Sequence, residues 1–374
     1  MVMKKCLFLL VCVVVMGTPS YAQRLIPGQK GMEITGSLPV INGERLFRKD
    51  HFGVGISFTR YLKSENYVCN MAAFSVHILG CGSALPTTHH HPSSQVIDLR
   101  DKLYMIDCGE GVQRQFRHEK LHFGRLIHIF ISHLHGDHCF GLPGFISTLG
   151  LLGRTGTLHV HGPEGIERFL SPILEQFCHR MPYQVEIHTI DASRHALVHE
   201  DKSVKVYSIP LSHRIPAVGY LFEEKCRARH LNKAAAEFYN IPLAEYPLII
   251  EGSDYTTPDG RIIPNRHLTT PGTPPRRYAY CSDTEFCPSI VPIIQGVDLL
   301  YHEATFMEED RARAKETFHS TAKEAAEIAR QAGAKRLLIG HYSGRYKDVQ
   351  GLLEEAQSVF KPTIAANERM RIDL

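Results

Sequence analysis

The sequence predicts an α/β fold for residues 71–374, and three observations support that prediction. Short apolar segments rich in Ile, Val and Leu alternate with segments whose apolar residues recur at helical spacing. Glycine-rich turns close several of the apolar segments. The chain of 374 residues is 43% hydrophobic, so it can bury the core of one large domain or of two small ones.

The predicted elements follow one another along the chain. Phe74–Gly80 is the first strand and ends in a glycine-rich turn, and Val96–Asp107 has the apolar pattern of a hairpin. Thr321 and Glu324 have capping-box spacing and mark the start of a helix that stops at Gly333. Further strands are predicted at 127–131, 158–161, 204–209, 219–222, 278–281 and 335–340, and a further helix at 166–177.

The segment Ser132–His138 reads S-H-L-H-G-D-H and directly follows an apolar, β-branched strand. Three imidazoles and a carboxylate therefore leave the end of a buried strand within a few positions, and these groups are ligands that zinc prefers. In a compact turn His133 and His135 can point one way, while Asp137 and His138 reach toward a second position. This pattern predicts two metal ions in one pocket.

Three later strand ends supply further ligands. His213, Asp283 and His341 each follow a predicted strand directly or after a short turn. One bridging carboxylate with histidines on both sides holds two zinc ions about 3.5–4 Å apart in known hydrolytic sites. Taken singly, each of these residues is more often a buried polar residue with hydrogen-bond partners. Taken with the first motif, they predict the rest of a metal centre.

Composition and charge exclude several classes of protein. The formal net charge is +3, but residues 1–70 hold nine Lys and Arg against four Asp and Glu, so the remainder is slightly acidic. A domain with this balance is not a bulk nucleic-acid binder, and a polyanionic substrate would need a local basic patch and the metals. The ten cysteines include no C-x-x-C pair, which argues against a zinc ribbon or a disulfide scaffold and fits a cytosolic enzyme.

The first seventy residues differ in character from the rest. Two lysines and an apolar run at 4–16 precede a small-residue cleavage site at 19–22, which is the pattern of a secretory signal peptide. Residues 24–70 contain no metal-site motif, and an in-frame methionine, Met71, precedes the first predicted strand. We expect residues 1–70 to be dispensable and the active protein to be cytoplasmic. The alternative is that the signal is real and the protein is exported.

From Met71 to its last residue, the chain resembles the ribonuclease Z family, the tRNA 3′-processing endonucleases of the metallo-β-lactamase superfamily. The motif at 133–138 is shared across the superfamily, whereas other blocks are more specific to the family. These blocks are L-G-C-G-S-A-L-P-T at 79–87, D-C-G-E-G at 107–111, H-E-A-T-F at 302–306, H-S-T-A at 319–322 and H-Y-S-G-R-Y at 341–346. Separately, residues 23–31 resemble the start of exported conjugation proteins of Bacteroides-type bacteria.

The resemblance implies an αββα four-layer sandwich that holds two zinc ions per subunit, with manganese as the alternative metal. The implied ligands are His133, His135 and His213 for one ion, Asp137, His138 and His341 for the other, and Asp283 as the bridge. It further implies that Asp137 accepts a proton, that His319 protonates the leaving 3′ oxygen or steadies the phosphate, and that Glu303 orients His319. Arg345 is the implied phosphate-binding cation. The open alternatives are a helix N-terminal histidine without a chemical role at 319 and a plain surface cation at 345.

The segment 223–277 is too long for an ordinary connector and is rich in proline and basic residues. The resemblance implies that it is a protruding arm that binds tRNA far from the metals. Phosphate contacts from such a patch supply affinity without sequence readout. The basic residues are Lys225, Arg227, Arg229, His230, Lys233, Arg261, Arg266, Arg276 and Arg277. The alternative is a solvated insertion of mixed charge.

Together, these features imply a zinc-dependent endoribonuclease that cleaves the 3′ trailer from precursor tRNA and leaves a 3′-hydroxyl on the tRNA. The family usually forms homodimers in which the arm of one subunit serves the other active site, and no membrane partner is expected. Two alternatives remain open. One is a small-substrate phosphodiesterase or arylsulfatase-like hydrolase of the same fold, against which the basic arm argues. The other is an exported non-catalytic binding protein, against which the complete metal set argues.

Overall fold

The computed structural model describes residues 74–178, 180–226, 229–272 and 274–374, together with four short strands nearer the N-terminus. The chain divides into two units, Met1–Met71 and Ala72–Leu374. The signal-like segment, Met71 and Arg227 lie outside the described residues. The strands of the first unit are β1 (Glu33–Thr35), β2 (Val40–Ile41), β3 (Glu44–Arg45) and β4 (Gly55–Ser57), of which β1 pairs with β4 and β2 with β3.

The second unit contains the predicted α/β fold. Its strands are β5 (Phe74–Gly80), β6 (Ser94–Leu99), β7 (Lys102–Ile106), β8 (Leu126–Phe130), β9 (Leu158–Pro163), β10 (Val185–Ile190), β11 (Leu197–Glu200), β12 (Val204–Pro210), β13 (Val218–Glu224), β14 (His230–Leu231), β15 (Tyr255–Thr256), β16 (Ile262–Ile263), β17 (Thr269–Thr270), β18 (Arg277–Cys281), β19 (Leu299–Glu303), β20 (Leu337–Gly340), β21 (Thr363–Ala365) and β22 (Arg371–Asp373). Its helices are α1 (Val112–His118), α2 (Gly136–Cys139), α3 (Leu142–Leu151), α4 (Ile166–Phe177), α5 (Lys233–Phe238), α6 (Tyr246–Glu251), α7 (Asn265–Leu268), α8 (Arg311–Thr317), α9 (Ala322–Gln331) and α10 (Gln350–Val359). None of the helices in the described part of the chain has both the length and the apolar character that a membrane crossing requires.

Two seven-stranded sheets form the middle of this unit. The first has the order β10-β9-β8-β7-β6-β5-β22, and the second has the order β11-β12-β13-β18-β19-β20-β21. Neighbouring strands are parallel in the β10-β9-β8-β7 half of the first sheet and in the β18-β19-β20-β21 half of the second. The carboxyl ends of parallel strands meet at one edge, which is where open α/β sheets bind their ligands.

Alternation of side chains along the strands explains why the sheets stack. On β7, Tyr104 and Ile106 point into the core between the two sheets, whereas Leu103 and Met105 point to the opposite face. Helices α1, α3 and α4 cover that opposite face, and α9 and α10 pack on the second sheet. The result is a four-layer αββα sandwich, which confirms the predicted fold class.

The predicted elements are confirmed, with small changes in their bounds. The hairpin at 96–107 consists of β6 and β7, and the helix at 166–177 is α4. The capping box forms, because Thr321 Oγ1 accepts the Glu324 N–H at 3.2 Å and Glu324 Oε2 accepts the Thr321 N–H at 3.0 Å. Helix α9 ends shortly before Gly333, whose φ of +61° lies in the region that favours glycine.

The segment between β13 and β18 folds around a small core of its own. Helices α5, α6 and α7 and the strand pairs β14–β17 and β15–β16 surround it. The buried side chains of this core are Ala236, Ile241, Ile249, Tyr255, Ile263 and Leu268. The Glu224 N–H donates to the Arg276 carbonyl at 2.9 Å, and Glu223 pairs with Arg277 across the two strands. The insertion therefore leaves and rejoins the second sheet at adjacent points.

Candidate active site

Four strand ends bring the predicted metal ligands to one edge of the sandwich. The turn after β8 and the short helix α2 carry four of them, and the turns after β12, β18 and β20 carry the other three. The structure brings together all seven: His133, His135, Asp137, His138, His213, Asp283 and His341. Sheet topology, rather than proximity in the sequence, assembles this set.

Three histidine nitrogens and one carboxylate oxygen form a first group of donor atoms. His133 Nε2 lies 3.0 Å from His135 Nδ1, and His213 Nε2 lies 3.2 Å from the same nitrogen. Asp283 Oδ2 lies 3.5 Å from His133 Nε2 and 3.9 Å from His213 Nε2. Four donors at this mutual spacing match the ligand shell of a single metal ion.

A second group of donor atoms shares Asp283 with the first. His138 Nε2 and His341 Nε2 are 3.3 Å apart, and each lies 3.4 Å from Asp137 Oδ2. Asp283 Oδ1 lies 3.4 Å from His138 Nε2 and 3.1 Å from His341 Nε2. Because Oδ1 faces this group and Oδ2 faces the other, Asp283 has the position of a bridging carboxylate.

The carboxylates of the site are ionised at neutral pH. Burial alone would raise the pKa of Asp283, but the charges of His341 and His138 outweigh it and hold that pKa well below its usual range. Burial would likewise raise the pKa of Asp137, and His138 and His341 again outweigh it and lower that pKa. Both side chains therefore present anionic oxygens to a cation.

Most of the ligand histidines are held in place through their other ring nitrogen. His133 Nδ1 lies 3.0 Å from Ser132 Oγ, His213 Nδ1 lies 2.9 Å from the Phe318 carbonyl oxygen, and His341 Nδ1 lies 2.8 Å from Thr305 Oγ1. Such partners fix the tautomer and orientation of metal-binding histidines.

Asp107 holds a fourth histidine and was not among the predicted site residues. Its buried Oδ2 lies 2.8 Å from His138 Nδ1 and accepts the Tyr280 hydroxyl at 2.7 Å, while Oδ1 accepts the Ser132 N–H at 2.7 Å. The D-C-G-E-G block contained a signal for this role, because Asp107 follows an apolar strand just as the ligands do. The carboxylate ties the metal motif to strands of both sheets.

Glycines allow the turn after β7 to approach the metal motif. A Cβ on Gly141 would stand 2.0 Å from the Gly109 carbonyl oxygen, and a Cβ on Gly109 would stand 2.7 Å from the Asp137 carbonyl oxygen. Neither distance is possible for real atoms, so a side chain at either position would push the two segments apart.

Three residues of the site adopt a left-handed backbone conformation. Asp107, Phe318 and His341 have φ values of 57°, 58° and 63°. Each costs of order 1–3 kcal/mol for a residue other than glycine, and such residues cluster at functional sites. The Asp107 carboxylate holds His138, the Phe318 carbonyl oxygen holds His213, and His341 is itself a predicted ligand.

His319 and Glu303 form a buried pair beside the two donor groups. His319 Nδ1 lies 2.8 Å from Glu303 Oε1 and 4.0 Å from Asp283 Oδ2. Burial would lower the pKa of His319, but Glu303 and Asp283 outweigh burial and raise that pKa to about 9. Glu303 is held in turn by the backbone N–H groups of Thr284 and Thr305, at 3.1 Å each.

The donor groups border an open cleft of about 490 Å³, and two arginines differ in their relation to it. The predicted phosphate ligand, Arg345, does not line the cleft; it bonds to Asp310 Oδ1 at 2.9 Å and lies over the Phe306 ring. Of the described residues that line the cleft, only Arg214 is a lysine or arginine. Its position directly after His213 was the signal that could have identified it.

The donor set fits a metal cofactor. It combines imidazole nitrogens with carboxylate oxygens, which suit zinc and manganese, and it contains no thiolate. The second ring nitrogens of four histidines already carry the partners that metal-binding histidines require.

Curated proteins named ribonuclease Z match most of this chain. The chain is 60% identical over 304 residues to ribonuclease Z of Parabacteroides distasonis, covering 81% of this chain and 100% of that protein. It is 57% identical over 304 residues to ribonuclease Z of Bacteroides fragilis, with the same shares covered. It is 37% identical over 307 residues to ribonuclease Z of a Synechocystis species, covering 80% of this chain and 94% of that protein.

Solved structures share the fold. The short form of human tRNase Z matches with a TM-score of 0.58 at 25% identity, covering 80% of this chain and 98% of that chain. A metallo-β-lactamase fold protein from Bacillus subtilis matches with a TM-score of 0.57 at 18% identity, covering 81% of this chain and 100% of that chain. The second match supports the fold alone.

Three family models match parts of the chain. The model described as anti-Pycsar protein Apyc1 matches residues 74–153, and that of a beta-lactamase superfamily domain matches residues 270–342. The model described as conjugative transposon protein TraO matches residues 26–79, which overlap the segment that resembles exported conjugation proteins. The first two matches fall on the sheets whose strand ends carry the site.

Proposed function

We infer the function of this chain from its family, because the chain belongs to the ribonuclease Z family and is a phosphodiester-hydrolysing endoribonuclease. Its relatives support tRNA 3′ processing as the activity. We propose in finer detail that it cleaves the 3′ trailer from precursor tRNA and leaves a 3′-hydroxyl on the tRNA. The observation that carries this proposal is a single cleft that joins two metal-ligand groups to a buried His–Glu pair.

The proposed cofactor is a pair of zinc ions, with manganese as the alternative. His133, His135 and His213 would hold one ion, Asp137, His138 and His341 would hold the other, and Asp283 would bridge them. When bound, such ions act as Lewis acids and lower the pKa of water toward neutrality. Asp107 and the other hydrogen-bond partners of the histidines keep the donor atoms aimed at the two positions.

Two groups of the protein are proposed to move protons. Asp137 accepts the proton of the attacking water, and the Ala84 N–H holds its Oδ2 in place at 2.7 Å. His319 donates a proton to the leaving 3′ oxygen. Because Glu303 occupies Nδ1 and raises the pKa of the ring, His319 keeps a proton on Nε2 for this purpose at neutral pH. Arg214 lines the cleft and is the side chain that we propose binds a phosphate there.

The arm is proposed to hold the body of the tRNA. It folds on its own core, so it can project basic side chains without contributing to the main core. Among its described residues, Lys225, Arg229, Lys233, Arg261 and Arg266 offer phosphate contacts. Recognition of folded RNA by shape fits such contacts. A homodimer in which one arm serves the other active site, and a cytoplasmic location, belong to the same proposal.

Incubation of the purified protein with a 3′-extended precursor tRNA and Zn²⁺ or Mn²⁺ tests the proposed reaction. The expected products are a tRNA with a 3′-hydroxyl and a released trailer. Full cleavage in excess chelator by a protein without bound transition metal would contradict it. Hydrolysis of a small phosphodiester without cleavage of the precursor would favour the alternative of a small-substrate phosphodiesterase.

His213→Ala provides the metal-site variant for this assay, and His118→Ala, at the exposed end of α1, is its matched control. The first should lose bound metal together with cleavage, and the second should lose neither. Size-exclusion chromatography with light scattering on the same samples measures the mass of the oligomer. A strictly monomeric and fully active protein would contradict the proposed homodimer.

A further inference from the structure

A second kind of donor cluster lies outside the active-site ligands. Cys81 follows β5, His90 lies in the loop between β5 and β6, and Glu368 lies between β21 and β22. Cys81 Sγ is 3.4 Å from His90 Nδ1 and 3.6 Å from Glu368 Oε1, and His90 Nδ1 is 3.0 Å from Glu368 Oε2. The loop after β5 and the segment before β22 thus direct a sulfur, a nitrogen and the two oxygens of one carboxylate toward one another.

The spacing of these atoms is that of ligands around one metal ion. Bonds of about 2.3 Å to sulfur and about 2.0–2.1 Å to nitrogen or oxygen, at tetrahedral angles, place ligand atoms about 3.3–3.6 Å apart. The active-site groups give an internal comparison, since the donor-atom distances described above run from 3.0 Å (His133 to His135) to 3.9 Å (His213 to Asp283). The Cys81 cluster falls within the same range.

Each atom of this cluster has hydrogen-bond partners, and the Cys81 thiol also lies 3.6 Å from the Ala366 carbonyl oxygen as a donor. His90 Nδ1 carries at most one proton, yet it faces both the thiol and the carboxylate. Cys81 is fully buried, so its sulfur is shielded from solvent. Glu368 Oε1 accepts the His91 N–H at 2.8 Å, which orients the carboxylate from behind in the way that metal ligands are usually held.

We propose that Cys81, His90 and Glu368 form a third metal site, which binds a zinc-type divalent ion and is separate from the two-metal centre. The thiolate, imidazole and carboxylate donors suit Zn²⁺, and three protein ligands leave a fourth position for water. The thiol gives up its proton when the ion binds.

The position of this site gives the ion a structural role. The loop that carries His90 also forms part of the cleft wall through Ser83, Ala84 and Pro86. The Ala84 N–H bonds to Asp137, the proposed proton acceptor. An ion held by His90 and Glu368 therefore fastens the cleft loop to the segment before β22, and it fixes the wall that positions Asp137.

A second cluster outside the centre makes a weaker case. His159 Nδ1 lies 3.1 Å from His188 Nε2 and 3.2 Å from Glu186 Oε2, but the Glu186 side chain is 51% exposed. This cluster contains no thiolate, and its carboxylate is exposed to solvent. It serves as the internal competitor in the experiment below.

Cobalt reconstitution of the full chain tests the proposal, because cobalt bound to a thiolate has a near-ultraviolet charge-transfer band that a centre of nitrogen and oxygen ligands lacks. The expected result is three ions per chain by mass spectrometric metal analysis, together with this band. Cys81→Ser should remove the band and reduce the count to two. Cys226→Ser, at an exposed cysteine outside the cluster, should keep both.

Glu368→Gln is a second variant that tests the site if Cys81→Ser fails to fold. It keeps the shape of the side chain, and it should weaken binding of the third ion at least tenfold while circular dichroism remains unchanged. Two ions per chain without a thiolate band would overturn the proposal. Loss of a third ion in His188→Ala, with the ion retained in Cys81→Ser, would also overturn it. Neither result would affect the proposed cleavage of precursor tRNA, since the two-metal centre is counted separately.

Discussion

A metal-binding imidazole acts only when its ring is turned so that the correct nitrogen faces the ion. In this chain the orientation of His138 depends on Asp107, whose carboxylate also accepts the Tyr280 hydroxyl and the Ser132 N–H. A single buried side chain thus aligns the metal motif with the rest of the edge. Its contribution to metal affinity should exceed that of any ordinary hydrogen bond near the surface.

Asp107→Asn should weaken metal binding by about 10–100-fold. The amide keeps the shape of the side chain, but it removes the carboxylate charge that faces His138 Nδ1. Competition with a metal-binding dye measures the affinity, and circular dichroism checks the fold. Asp98→Asn, at a carboxylate that pairs with Arg125 and belongs to neither donor group, is the matched control. An affinity equal to that of the parent would remove Asp107 from the metal site.

His319→Ala should lower kcat by about 10²–10⁴-fold while the bound metal content stays unchanged. The reason is that His319 faces the cleft as a proton donor, whereas both donor groups are complete without it. Single-turnover cleavage of precursor tRNA, with metal analysis of the same sample, separates the two effects. An unchanged kcat would exclude His319 from the mechanism. Loss of metal would instead make it a ligand.

The sequence carries clearer signals for the predicted donor atoms than for the groups that surround them. Four of the seven predicted ligands lie in one dense motif, and the other three follow strand ends. Each therefore has a local signal in the sequence. Spacing along the sequence does not distinguish Arg345 from Arg214. Both lie directly or closely after a predicted ligand, and only the folded chain shows that Asp310 engages Arg345 while Arg214 lines the cleft. Contacts between distant segments leave no spacing to recognise.

At the scale of elements, strong hydrophobic patterns predicted strands and weak ones did not. β8, β12 and β20 are buried runs bounded by turns, and they were predicted. β10 and β11 lie at the sheet edges and consist mostly of exposed and half-buried residues, and α1 has only seven residues, so none of them has a sufficient hydrophobic pattern. The length and composition of segment 223–277 indicated an insertion, but its internal helices had no such signal.

Removal of the arm tests whether the protein acts on precursor tRNA or on small substrates. Replacing residues 226–275 by an Asn-Gly turn should preserve the second sheet, because Glu224 and Arg276 already pair across the base. We expect this variant to lose cleavage of precursor tRNA and to retain hydrolysis of a small phosphodiester. The physical reason is that the proposed phosphate contacts with the tRNA body are lost, whereas none of the seven predicted metal ligands falls within residues 226–275.

Parallel assays of the two substrates measure this prediction, with metal analysis as the check on the centre. Lys233→Ala combined with Arg261→Ala gives a milder test, since it should weaken tRNA binding and reduce its salt dependence without changing small-substrate hydrolysis. Lys335→Ala, at an exposed lysine outside the arm, is the matched control. Full precursor cleavage by the armless variant would contradict the proposed role.

At the scale of the whole molecule, Glu224 joins the two sheets. Its buried carboxylate bonds to Arg100, in the turn between β6 and β7, at 3.1 Å and to Arg276, just before β18, at 2.8 Å. Burial alone would raise the pKa of Glu224, but Arg276 and Arg100 outweigh it and lower that pKa. The ionised carboxylate therefore contributes stability that depends on pH.

Glu224→Gln should lower the free energy of unfolding at pH 7 by about 2 kcal/mol, less than for a fully buried pair because both arginines reach solvent. In the parent, this contribution is complete above the unfolded pKa of about 4.3 and is lost as pH falls through the lower folded pKa. The variant should therefore show a flatter decline of stability in acid. Urea unfolding between about pH 3 and pH 7 measures it, with Glu200→Gln at a more exposed pair as control.

Whether the activity needs residues 1–70 depends on the boundary between that segment and the rest of the chain. The described core begins at Phe74, the second unit begins at Ala72, and the 304 residues aligned with the relatives equal the length of segment 71–374. Each of the predicted ligands lies in that segment. Precursor tRNA is a cytoplasmic substrate, so a protein exported by a signal at its N-terminus would not meet it. Residues 26–79 match a family model of a conjugative transposon protein, whereas 304 residues of the chain align with ribonuclease Z.

We therefore predict that a protein starting at Met71 cleaves precursor tRNA at the full rate and has the same melting temperature as the full chain. Comparison of kcat and KM for the two forms measures the first part, and thermal unfolding measures the second. Mass spectrometry of the native protein then determines which form the cell contains. A mature N-terminus near Gln23 in a periplasmic fraction would contradict the cytoplasmic assignment and would weaken the tRNA assignment with it. Loss of cleavage in the shortened protein would show that the first unit takes part in folding or in substrate binding.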